Sequence, residues 1–164
     1  ILLAIFLSAA YLIISLYASI LPPHLIQESD ALNYHMMLPR QHLIYHSFTH
    51  IPWSTADLYV LPIDYALSPF WLSTAWPNKF VQFVFLIGIL GCVFNLVYIW
   101  SDKSKIRSWV AVVAVMSCHI IAIQAGTAML DLVILYCFLA FIHSLLSGRF
   151  IFAAIEFTFF VIIF

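Results

Sequence analysis

The feature that most limits the fold of this chain is its first stretch. Residues 1–21 contain no Asp, Glu, Lys, Arg or His and are broken only by small hydroxyls such as Ser8 and Ser15. As a helix rising about 1.5 Å per residue, such a run is about 30 Å long, the thickness of a bilayer's hydrocarbon core. Further apolar runs occupy residues 80–100, 109–123, 132–146 and 150–164. A soluble domain coats itself with roughly 25% charged residues. Here Asp, Glu, Lys and Arg make up 8% of the chain and hydrophobic residues 65%. In hydrocarbon the backbone must satisfy its own hydrogen bonds, which continuous apolar runs do as helices. A membrane β-barrel would instead alternate over segments of about ten residues. The expected fold class is therefore all-α: a polytopic transmembrane helix bundle with spans near those five runs.

Residues 22–79 form the long polar-containing segment, opened by Pro22-Pro23. It is too polar to span and too apolar to leave the membrane surface, so interfacial amphipathic helices are expected there. One covers about 30–48, with Leu32, Met36, Leu43 and Ile44 on the apolar side, Asn33, Arg40, Gln41 and His42 on the polar side, and a kink at Pro39. A second covers about 56–71, interrupted by Pro62 and ended near Pro69.

The basic residues set the orientation. Lys103, Lys105 and Arg107 cluster after the second run, between Trp100 and Trp109, and Arg149 ends the fourth. Loops rich in Lys and Arg stay in the cytoplasm and tryptophans settle at the interface. The outer face then receives the loops 22–79 and 124–131. It collects Glu28, Asp30, Asp57, Asp64 and Asp131, five of the seven acids in the sequence, against Arg40 and Lys79. The first residue is Ile1, not Met, and both ends fall inside apolar runs, so the chain reads as the N-terminal part of a longer membrane protein. Cys92, Cys118 and Cys137 all lie in apolar runs and read as packing residues. A net charge of −1 offers nothing for nucleic acid to bind.

Three constellations carry candidate chemistry. Glu28 and Asp30, two residues apart at the water boundary, suit a general base with a second carboxylate that tunes it or holds a cation. The same residues also suit a helix cap. Asp131 stands between two apolar runs, where a carboxylate either lines a cavity or caps the next helix. If a divalent cation is bound, Glu28, Asp30 and Asp131 are its ligands. His42, His46 and His50 repeat every four residues, a spacing for zinc or simply for a mildly polar interfacial helix. His119 and His143 sit at unequal depths in their spans, which argues against a shared haem, and Glu156 in the last run faces the bundle interior.

Asp30-Ala31-Leu32-x-Tyr34-His35-x-x-x-Pro39, just outside a first span, resembles the first outer loop of GT-C membrane glycosyltransferases. The likeness is to the bacterial relatives of the protein O-mannosyltransferase and aminoarabinose transferase group. Phe48-Thr49-His50-Ile51-Pro52 and the segment 56–67 look like the continuation of that loop, and residues 125–132, ending Leu130-Asp131-Leu132, resemble the second outer loop. In the mannosyltransferases the two first-loop acids are adjacent; here Ser29 separates them. The resemblance implies an integral multi-pass protein of the bacterial inner membrane with its active site facing outward. It implies a sugar transferred, with inversion, from a polyprenyl-phosphate-linked donor to an acceptor the sequence does not name. Asp30 and Glu28 are then the catalytic residues, Asp30 as base, while Asp131, Tyr34, His35 and Arg40 bind substrate. A different class stays open: a transporter or channel subunit using the outer acids and histidines as ion or proton ligands. Such a protein carries polar residues at mid-membrane in broken helices.

Overall fold

The structure, a computed structural model, describes residues 1–21, 37–46, 62–67, 76–127 and 131–163. These form eight helices: α1 (Leu2–Ile20), α2 (Met37–Tyr45), α3 (Pro62–Leu67), α4 (Trp76–Trp100), α5 (Lys105–Met116), α6 (His119–Gln124), α7 (Asp131–Leu146) and α8 (Phe150–Ile163). Two stretches, Leu2–Ile20 and Lys79–Trp100, are long and apolar enough to cross a membrane, while α7 and α8 are apolar but shorter.

Each expected apolar run is helical, with two differences. The second run begins at Trp76, four residues earlier than its apolar stretch, because Pro77 is tolerated in a first turn where its missing N–H has no partner to lose. Of the second expected interfacial helix the structure describes α3, Pro62–Leu67; residues 56–61 and 68–71 lie outside the described residues. The third run is not one helix. It breaks at Ser117-Cys118, where the Cys118 N–H bonds the Val115 carbonyl at 3.0 Å, a tightened turn in place of the regular bond to Ala114. Ser117 Oγ donates to the Val113 carbonyl at 2.8 Å and so competes with the backbone at the break.

The connections fix the order of packing. Past Trp100 the residues Asp102 and Lys103 both adopt left-handed φ, 52° and 62°, and the Lys103 N–H closes on the Tyr98 carbonyl at 2.9 Å. Ser104 then caps α5, accepting from the Arg107 N–H at 3.5 Å. This tight turn makes α4 and α5 an antiparallel pair, joined near the turn by the Phe94 and Trp109 rings at 5.4 Å. At the other hairpin Gly148 takes φ 70°, and the Gly148 and Arg149 N–H groups bond the Leu145 and Ser144 carbonyls at 3.1 and 2.9 Å. That is a Schellman closure, and it turns α8 back along α7. Helix α1 packs on α4 and α5, α4 also on α7, and α7 on α8.

The core is a band of Phe83, Leu86, Ile89, Leu90, Val112, Met116, Ala125 and Leu132. On α4 the buried stripe begins with Lys79 and Gln82 and continues through Phe83, Leu86, Ile89 and Leu90, three and four residues apart. Helix α1 is inverted relative to a soluble amphipathic helix. It buries Ser8, Ser15 and Ser19 and exposes Leu2, Leu3, Phe6, Ile13, Ile14 and Tyr17. Small hydroxyl residues inside and large aliphatics outside are the pattern of helices packed in hydrocarbon, where close backbone approach replaces the hydrophobic drive.

Candidate functional site

One end of the bundle gathers the polar side chains. Helix α5 runs antiparallel to α4, so α6 heads for the end where α4 starts. There Gly126, just past α6, lies so close to α1 that an added Cβ would meet the Ala18 Cβ at 2.5 Å. Gln124 Nε2 donates to Asp131 Oδ2, which ties the end of α6 to the start of α7. The same end therefore holds Ser19, Lys79, Gln82, Gln124, Thr127 and Asp131. Ser19, Lys79, Gln82 and Thr127 are 0%, 3%, 0% and 8% exposed. Ser19 Oγ donates to the Leu16 carbonyl at 2.7 Å and Thr127 Oγ1 to the Gln124 carbonyl at 3.3 Å, so these two hydroxyls close local turns. Gln82 differs, because both its Nε2 and its Oε1 are buried without a hydrogen bond. A buried primary amide in that state carries an unmet desolvation cost.

Asp131 is the first residue of α7, and its carboxylate lies where the helix dipole favours negative charge. It is exposed and paired with Gln124. Arg40 is exposed on α2. Glu28, Asp30, Tyr34 and His35 lie outside the described residues, so their relation to Asp131 and Arg40 rests on the sequence alone. The histidine ladder does not share one helix face. α2 ends at Tyr45, His46 turns left-handed with φ 50°, and His50 lies outside the described residues. His42 instead meets Tyr65 of α3, Nδ1 to Oη 2.8 Å, with the rings stacked, so it ties α2 to α3. Among the described residues no group of three or more His, Cys, Asp or Glu side chains comes together to hold a metal.

Glu156 is half-buried in α8, and its Oε2 has no hydrogen-bond partner. It lies within electrostatic range of Cys92 on α4 and of Tyr136 and Cys137 on α7, as its expected bundle-facing position requires. Sequence reasoning missed Gln82 and Gln124. Each is an amide inside or beside an apolar run, and Gln82 stands one helical turn after Lys79, a signal that was present. No protein-family model, no curated protein and no solved structure matches this chain.

Proposed function

We propose that the chain forms part of a multi-pass membrane glycosyltransferase that transfers a sugar from a polyprenyl-phosphate-linked donor on the outer face of the inner membrane. The observation that carries this reading is the polar end of the bundle, with Ser19, Lys79, Gln82, Thr127 and the Gln124–Asp131 pair set on helices whose outer surfaces are apolar. A lipid-linked donor needs that combination: apolar sides to slide along, and polar groups at the depth of its phosphate. Asp30 takes the proton of the acceptor hydroxyl. Glu28 and Asp131 orient the acceptor or hold a divalent cation, and Tyr34, His35 and Arg40 line the substrate's path. The exposed aliphatic faces and the serine-lined interface of α1 support its placement in a membrane, and the five-span arrangement is part of this proposal.

The test is transfer of radiolabelled sugar from a synthetic polyprenyl-phosphate donor by membranes carrying the protein. Asp30→Asn is expected to lower turnover by a factor of about 10² or more, the usual worth of a positioned base, with membrane insertion unchanged. Near-normal turnover in that variant would remove Asp30 from the mechanism.

One observation favours the transporter reading. The third run is broken at Ser117-Cys118, and Glu156 stands half-buried in α8. Proton flux into liposomes, abolished by Glu156→Gln and independent of any sugar donor, would select it.

A further inference from the structure

The two tight turns of the bundle stand at one level. Helices α4 and α7 both start at the polar end and pack side by side, with Gly88 against the Tyr136 ring. Trp100 follows Gly88 by twelve residues, and Gly148 follows Tyr136 by twelve, about 18 Å of helix rise in each case. The turn from α4 to α5 and the turn from α7 to α8 therefore lie together at the end opposite the polar one. Between them they carry Lys103, Lys105, Arg107 and Arg149, four of the six Lys and Arg residues of the chain, and all four are exposed. Asp102 is the only acid in either turn, which leaves three positive charges in excess. Large apolar side chains stand exposed among these cations. Ile106, between Lys105 and Arg107, is 61% exposed, and Phe150 and Ile151, just after Arg149, are 69% and 77% exposed. Past Arg107 the exposed face of α5 continues as Val110 and Ala114, three and then four residues on.

We propose that this end of the bundle binds the headgroup phosphates of anionic phospholipids, with their acyl chains lying along the exposed faces of α5 and α8. The excess charge selects an anion, and a zwitterionic headgroup brings its own cation and no net attraction. The interleaved apolar residues select a lipid. A free phosphate, or an acidic protein segment that meets only the cations, leaves Ile106, Phe150 and Ile151 uncovered. In a phospholipid the phosphate adjoins the first acyl carbons, so one molecule serves both Arg107 and the apolar strip that follows it. A guanidinium grips phosphate with two parallel N–H bonds, and the lysines beside it act as point charges. Each such cation near an anionic surface is worth about five-fold in association. The inference rests on the membrane reading of the chain and not on sugar transfer. It holds whichever face of the membrane this end occupies.

The experiment is electron spin resonance of the full chain in phosphatidylcholine vesicles holding a trace of spin-labelled phosphatidylglycerol or spin-labelled phosphatidylcholine. The motionally restricted fraction reads how much of each lipid the protein holds. Phosphatidylglycerol is expected to associate about five-fold or more better than phosphatidylcholine in about 50 mM salt, and to lose most of that preference in about 1 M salt. Lys103→Gln, Lys105→Gln and Arg107→Gln together are expected to remove most of the preference, whereas Lys103→Arg, Lys105→Arg and Arg107→Lys together keep it. Equal association of the two lipids with the unaltered chain overturns the proposal, as does a preference that persists in high salt or in the glutamine variant. Inorganic phosphate at constant ionic strength is expected to leave the preference intact; its loss would mean that the site reads a free anion. Polyglutamate binding to the detergent-solubilised chain, with no lipid preference in vesicles, would assign this end to an acidic protein instead. The salt and lipid comparisons use the unaltered chain, so they decide the matter even if a triple variant fails to insert. The sugar-transfer assay reads the other end of the bundle, so either result can fail without the other.

Discussion

At the scale of single residues, Asp131 shows how two readings of one side chain can both leave a mark. It lies in the first turn of α7, where the helix dipole favours a carboxylate, and it also accepts from Gln124 at the end of α6. Asp131→Ala loses both interactions. It is expected to lower the thermal midpoint in detergent by roughly 2–4 °C, about 1 kcal/mol, while Asp131→Asn keeps the acceptor and falls by about half as much. A double-mutant cycle with Gln124→Leu isolates the pair, and additivity of the two single changes would show that the bond contributes nothing. Asp131 was legible in the sequence as a carboxylate between apolar runs. Gln124 was not, because its partnership depends on how the end of α6 meets the start of α7, and spacing alone does not encode that.

At the scale of elements, helix identity was legible and helix integrity was not. Apolar length foretold α1, α4, α7 and α8 to within a few residues. The same criterion fused α5 and α6, because the break at Ser117-Cys118 comes from hydroxyl competition and a tightened turn, to which a hydropathy average is blind. The expected interruptions at Pro39 and Pro62 involve residues 30–36 and 56–61, which lie outside the described residues. The glycines of α4 give a test of packing within one helix. A Cβ at Gly88 would meet the Tyr136 Cε2 at 2.5 Å, whereas one at Gly91 meets nothing within 4 Å. Gly88→Ala is therefore expected to destabilise by about 1–3 kcal/mol through the α4–α7 contact. Gly91→Ala is expected to be neutral or to stabilise by up to about 1 kcal/mol from helix propensity. Equilibrium unfolding in mixed micelles reads both, and equal effects would mean that Gly88 is not in that contact.

At the scale of the whole molecule, composition foretold an apolar exterior, and the serine-lined inner face of α1 gives that exterior its complement. The positive-inside argument places Lys103 and Asp131 on opposite faces of the membrane. In a background with Cys92, Cys118 and Cys137 replaced by alanine, an impermeant maleimide added to intact cells is expected to label Asp131→Cys at once and Lys103→Cys only after permeabilisation. The reverse pattern would invert the topology and move the polar end of the bundle into the cytoplasm. The Schellman turn at Gly148 has a consequence for how such a protein is made. Only Ser147, Gly148 and Arg149 separate α7 from α8, too few residues for either helix to enter a bilayer alone. On the multi-pass reading proposed above, the two would leave the translocation machinery as one hairpin, with Glu156 carried in beside its own partner helix. Its carboxylate would then enter half-buried alongside α7 instead of on a lone helix, which lowers the cost of carrying it into hydrocarbon.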